Sequence, residues 1–314
     1  MFHVEKIQSH IFPLLYEAFL RDDDPLSDEQ DWRNVFDYSF EKDEDHTGYA
    51  LFDDDKVIGM IAMVFSKRIV NSQTHKFCNL HTWWVDENHR GRSLMLLKPV
   101  QRLSGYTVTH FTPCDRIRAL TKRLGYTQLD NQLKVLLPYP FFGKLKKTAG
   151  TVEFDAEAIK SKLCERDARI YADHQPYRLG HLVISDGTKH CYVLYSLVVR
   201  RRMNYCHIQY VSDYKIYANQ ELAVRQALID RHQVKFVVID KRLVQGISFK
   251  RSFNFWSPAK AVYKSENLLP DQVDNLYSDV SFLRLTTFPH ISFEMKQRLA
   301  RLWPFAKPQE NAHL

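Results

Sequence analysis

Residues Val85 to Leu97, VDENHRGRSLMLL, carry the side chains of an anion site. An apolar strand, FCNLHTWWV, runs into a short polar loop and the loop into a helix, the order that aims backbone N–H groups at a phosphate. Arg90 and Arg92 flank Gly91 and offer charge-assisted donors suited to phosphate, and Ser93 adds a hydroxyl. Loops of this kind usually hold several glycines, so that the backbone can approach the anion closely. Here only Gly91 is present, followed by Ser93, Leu94 and Met95. Any residue in allowed backbone geometry supplies an N–H, but the Met95 side chain must point away from a ligand.

Charge supports an anion partner in this region. Residues 1–60 hold 16 acidic and 5 basic residues, whereas residues 61–150 hold 4 and 15, in a chain of net charge +7. Clustered positive charge fits a groove for a polyanion or a solvated basic surface. Arg200–Arg202 stand among aromatics in VVRRRMNY, but no nucleic-acid module surrounds them and a strand-to-strand turn is the reading. No nucleic-acid partner is expected.

The elements that must position the loop follow from periodicity. Val4, Ile7, Ile11, Leu14, Leu15 and Phe19 have helical spacing, which predicts a helix over 4–20. YALF, the acidic turn Asp53–Asp55 and KVIGMIAMVFSKRIV form a strand pair, and KFCNLHTWWV is the next strand. YTVTHFT is strand-like. PCDRIRALTKRLG is a helix that starts at Pro113 and stops at Gly125, and YTQLDNQLKVLLP closes the unit as one or two strands. The pattern recurs: HLVISDGTKHCYVLYSLVVRRRMNYCHIQYVSD, the helix NQELAVRQALIDRHQ, the strand VKFVVID and the late strand region SFNFWSPAKAVYK.

The expected fold is α/β (α+β), a mixed, mostly antiparallel sheet flanked by helices, in two tandem halves. The first domain spans 1–138, a linker 139–152, a second domain 153–288, and an amphipathic helix and tail 289–314. With 314 residues, 45% of them hydrophobic, the chain has the composition of a globular protein. No stretch approaches the ~20 apolar residues of a membrane span, and the amino terminus lacks a signal peptide's basic region. Five cysteines without a C-x-x-C pair suggest reduced thiols, a cytoplasmic location and no metal site.

Over roughly residues 1–138 the chain resembles the GNAT superfamily of acyl-CoA-dependent N-acyltransferases. VDENHRGRSLMLL is similar to the frame V-x-P-x-Y-R-G-x-G-x-G-x-x-L-L, with Ser93 and Met95 where two glycines would stand, and Leu120–Tyr126 matches L-Y-x-K-L-G-F. The serine–leucine loop and the threonine–proline before the last helix also resemble acyltransferases of bacterial polysaccharide-biosynthesis clusters.

The resemblance implies acetyl-CoA or another acyl-CoA as co-substrate, held at Val85, Arg90, Gly91, Arg92, Ser93, Leu94 and Met95. It implies transfer to an amine or hydroxyl acceptor, a sugar or amino-acid derivative, in the cleft between the halves. A strand N–H would polarise the thioester carbonyl. Asn79, His81 and Trp83, or the opposite set if a bulge intervenes, would face the acceptor, with His81 the candidate base. Thr121 replaces the family's acidic tyrosine, which leaves Tyr126 as the candidate acid. Cys114 is a nucleophile only if a base activates it. The lost glycines and tyrosine also fit a degenerate binding or scaffold protein. YKIYANQEL lacks an Arg-Gly pair, so no second coenzyme site is expected.

Overall fold

The computed structural model describes residues 1–24, 27–139, 150–200, 203–257 and 259–283. The helix and tail expected over 289–314, and most of the linker expected over 139–152, lie outside these residues. So do Arg201 and Arg202.

The chain opens with β1 (Phe2–Lys6), then α1 (Phe12–Leu15), a π-helical turn at Tyr16–Leu20, and α2 (Arg21–Asp23). α3 (Glu29–Phe36) starts on Asp28, whose side chain and main chain bond reciprocally with Asp31. There follow β2 (Gly48–Asp53), β3 (Lys56–Val70), β4 (Gln73–Val85), α4 (Ser93–Gln101), β5 (Tyr106–His110), α5 (Asp115–Arg123), β6 (Thr127–Gln128) and β7 (Gln132–Leu136). The second half comprises β8 (Thr151–Glu153), α6 (Ala156–Lys160), α7 (Glu165–His174), β9 (Leu179–Asp186), β10 (Lys189–Arg200) and β11 (Met203–Val211). It ends with α8 (Tyr214–His232), β12 (Val237–Asp240), β13 (Ser252–Trp256), β14 (Val262–Lys264) and α9 (Asp279–Phe282).

Residues 4–20 do not form one helix. Phe2 and Val4 alternate onto one face of β1, which pairs antiparallel with β2, and the helix starts only near Pro13, which has no N–H to continue an earlier turn.

The strands form two seven-stranded sheets, ordered β1-β2-β3-β4-β5-β14-β6 and β13-β7-β12-β11-β10-β9-β8. Each is mostly antiparallel, with one parallel pair, β4 with β5 and β11 with β12, joined through α4 and α8. The repeat in the sequence is therefore a repeat in the fold. The sheets also exchange strands. β7, from the stretch expected to close the first sheet, pairs between β12 and β13 of the second; β14 pairs between β5 and β6 of the first. Short hairpin strands cannot show from local pattern which sheet they will enter, because both sheets offer apolar neighbours.

One core lies between the halves. Met60, Ala62 and Val64 of the first sheet and Val183, Tyr192 and Leu194 of the second share it with α1, α3 and residues 276–283. The outer face of the first sheet packs on α4 through Leu96, Leu97 and Val100; that of the second packs on α8 through Tyr217, Val224 and Leu228. Buried Arg225 on α8 makes a two-pronged pair with Glu221, both bonds 2.6 Å, and donates to the carbonyls of Leu137, at the end of β7, and Lys250, before β13. It therefore fastens the exchanged strand.

Candidate active site

β4 and β5 run parallel in register only as far as Asn79 and Thr109. β4 then continues to Val85 while β5 ends at His110, so the edge of β4 that faced β5 has no strand partner. A bulge accentuates the divergence: Thr82 is the extra residue opposite Ile61 and Ala62, at φ +43°. The gap between the end of β4, the start of α4 and the face of α5 is a cleft of about 800 Å³. Trp83, Val85, Ile117 and Leu120 give it an apolar wall, and Arg90, Arg116 and Arg123 give it positive charge.

The bulge decides which residues share a face. Asn79 and His81 lie on the face toward the inter-half core, whereas Trp83 and Val85 pack on the α4 face. Trp83 is thus separated from the set Asn79, His81 and Trp83 expected from simple alternation. Trp84 faces the inter-half core, stacked on Phe19 at 4.7 Å.

Of the loop residues, Val85, Arg90, Gly91, Ser93 and Leu94 line the cleft. Arg92 does not: its guanidinium lies 4.4 Å over the Phe2 ring. Met95 packs beneath, against the core of the first sheet and α4, so its side chain points away from the cleft. The polar loop is a 3-10 helix, Glu87–Arg92, capped by the Asp86 carboxylate, which accepts from the Asn88 N–H at 3.0 Å. The Ser93 N–H bonds back to the Arg90 carbonyl. Such i→i+3 bonds engage N–H groups that an open glycine turn would leave free. Gly91 has open space around it and no left-handed backbone, so it answers no close contact within the chain.

A second cavity of about 260 Å³ adjoins the cleft; Trp83, Cys114 and Ile117 line both. Its other walls come from far apart in the chain: Phe19, Asp23 and Trp32 from the amino-terminal helices, Thr82 at the bulge, His110 and Thr112 after β5, and Asp279 and Leu283 around α9. Asp279 is 1% exposed. Its Oδ2 accepts from the Thr112 hydroxyl at 2.9 Å, and its main-chain N–H donates to Asn79 Oδ1 at 3.1 Å. Its Oδ1 has no protein partner. Burial raises its carboxyl to about 6 against hydrogen bonds, chiefly that from Thr112. His110, also buried, has an unpartnered Nδ1, and burial lowers it to about 4. Asp23 stands at the exposed rim, where crowding by the surrounding protein and then Asp24 push its carboxyl up to about 6; as an exposed side chain it keeps solvent on one side.

His81 lies behind this cavity rather than on its wall. It is 1% exposed, with Nδ1 3.1 Å from the Thr82 hydroxyl and Nε2 unpartnered. Burial, and then its neighbour His110, lower it to about 3. Tyr126 is on neither cavity: it packs against the core of the first sheet, and burial raises its hydroxyl.

Residues 9–96 match the family model described as acetyltransferase (GNAT) family. The solved structures similar to this chain include GCN5-related N-acetyltransferases from Anabaena variabilis and Kribbella flavida. Each is 12% identical; they have TM-scores of 0.54 and 0.53, cover 84% of this chain, and are themselves covered to 72% and 70%. The fold is that of GCN5-related N-acetyltransferases. No curated protein matches the sequence.

Within this GCN5-related fold, several cavity residues had no sequence signal. Asp23, His110 and Asp279 converge from three regions and belong to no motif. Arg116 and Arg123 did have one: seven residues apart on α5, they fall on one helix face.

Proposed function

We propose that the protein transfers an acyl group from acyl-CoA to a primary amine. The observation that carries this is the junction of the two cavities: an arginine-lined cleft with an apolar wall adjoins, at the strand divergence, a small chamber whose buried carboxylate has one oxygen without a protein partner. The cleft fits the coenzyme. Its apolar wall suits a pantetheine chain, and the guanidinium groups of Arg90, Arg116 and Arg123 suit the phosphates. The 3-10 helix supplies fewer free N–H groups than a glycine turn, so side chains carry more of the phosphate binding. Bound there, the thioester supplies an activated acyl carbon at the junction.

A main-chain N–H of β4 at the Thr82 bulge polarises the carbonyl. Asp279 Oδ1 takes one proton from the ammonium form of the acceptor, and its raised pKa suits a base working near neutral pH. The free amine then forms the C–N bond as the C–S bond breaks, and the second amine proton goes to the departing thiolate. In this reading His81 orients Thr82 at the bulge, and Tyr126 supports the sheet. Release of free thiol from acetyl-CoA in the presence of a panel of primary amines, lost in Asp279→Asn, tests the assignment. The alternative is a non-catalytic binding protein, favoured by the 3-10 helix at the coenzyme turn; it would bind the thioester and release no thiol with any amine.

A further inference from the structure

The small chamber has a chemistry more specific than "amine". Its described walls hold two carboxylates, Asp23 and Asp279, and no lysine or arginine. Phe19, Trp32 and Trp83 form its aromatic surface, and Thr82, His110, Thr112 and Cys114 add neutral polar groups. A buried carboxylate is normally paired, because an uncompensated charge in low dielectric is costly. Asp279 Oδ1 has no protein partner. The two acids also differ in position: Asp279 is closed off inside, while Asp23 is exposed at the rim. Negative charge at both the floor and the mouth of an aromatic-walled chamber is the chemistry that binds a cation at each end, with ring faces adding cation–π attraction. At about 260 Å³ the chamber is below the roughly 300–1,000 Å³ of pockets for drug-sized ligands. An amino acid would bring a carboxylate toward two others.

Building on the transfer reading above, we propose that the acceptor is a short aliphatic diamine. One amine sits at Asp279, where it is acylated, and the other remains an ammonium ion at Asp23. The Asp23 end binds and selects; the Asp279 end reacts.

The test compares thiol release from acetyl-CoA by the full chain with butane-1,4-diamine, butylamine, 4-aminobutyrate and glucosamine. It also measures calorimetric binding of butane-1,4-diamine without thioester. The proposal expects kcat/KM for the diamine at least tenfold above that for butylamine, through KM, and little use of the other two. It expects Asp23→Asn, an exposed change that leaves the core intact, to remove that preference. Equal or better use of butylamine, 4-aminobutyrate or glucosamine overturns the diamine assignment while leaving acyl transfer standing. If no amine releases thiol, the transfer reading fails instead. The cation site then stands on calorimetric binding of the diamine that Asp23→Asn weakens at least tenfold, and falls if the diamine does not bind.

Discussion

Asn79 Oδ1 accepts the main-chain N–H of Asp279 at 3.1 Å, across 200 residues of sequence. The same side chain donates to the Thr109 hydroxyl at 3.2 Å. One amide on the central strand of the first sheet therefore ties the point where β4 and β5 part to a segment that follows the second sheet. The tie sets Asp279 in the wall of the small chamber. Asn79→Leu removes both bonds and leaves the Asp279 N–H unpaired in the core, a cost of about 1–3 kcal/mol. Thiol release should fall at least tenfold while acetyl-CoA affinity stays within twofold. Equal losses in both would place Asn79 in coenzyme binding instead.

Asp279 should write its titration into the rate. Its carboxyl is raised to about 6, and in the proposed role it is the deprotonated form that works as the base, so kcat/KM should climb as pH rises through about 6 and level off above it. Asp279→Asn should lower the rate by ~10²- to 10⁴-fold, the usual worth of a positioned general base, and abolish that limb. A limb that persists in the variant assigns it to another group.

The two loop arginines should separate. Arg90 lines the cleft and is held by Glu87 at 2.7 Å, whereas Arg92 lies over Phe2. Arg90→Ala should weaken acetyl-CoA binding about tenfold, the lower end of a charge-assisted phosphate contact because the group is exposed. Arg92→Ala should change it by less than twofold. The reverse order would mean that Arg92 leaves Phe2 to meet the phosphates.

The exchanged strand depends on a buried ion pair. Arg225 and Glu221 are 1% and 2% exposed, and Arg225 also serves the Leu137 and Lys250 carbonyls. Arg225→Met strands Glu221 without its partner and should cost about 3–5 kcal/mol in urea unfolding. The double variant Glu221→Leu/Arg225→Met should recover part of this loss, because no charge is then left alone.

Acid should destabilise the fold through its buried histidines. Burial holds His174 and His81 near 3 and His110 near 4, against an unfolded value near 6.5. Between those limits the unfolded chain binds more protons. Each histidine therefore removes up to ~1.4 kcal/mol of stability per pH unit as pH falls below 6.5. Asp279, raised in the fold, acts in the opposite sense between about 6 and 3.8 and offsets part of one histidine. His174 packs against Tyr277 and Phe282, with Nε2 unpartnered. His174→Gln should flatten the loss between pH 6.5 and 5 in chemical denaturation; an unchanged slope would remove this residue from the account.

The central strands were legible from their apolar runs and turns, and the Pro113–Gly125 helix from its period and stop signals. The repeat was legible for the same reason. The first strand was not: Val4 and Ile7 fit helical spacing as well as a strand does, and only pairing with β2 decides. The exchange of β7 and β14 is a tertiary choice with no local mark. At the site, five of the seven loop residues singled out in the sequence line the cleft, and Met95 turns away from it. The Thr82 bulge, which separates Trp83 from His81, and the convergence of Asp23, His110 and Asp279 depend on contacts between distant segments.

The most direct test is calorimetric titration of acetyl-CoA into the wild-type chain and into Ala119→Trp. Ala119 lines the cleft from an exposed position on α5, so the larger side chain fills the cleft without disturbing the core. One-to-one binding in the micromolar range, weakened at least tenfold in Ala119→Trp, is the predicted result. No binding at millimolar thioester, or equal affinity in the two proteins, would contradict a coenzyme site at the strand divergence.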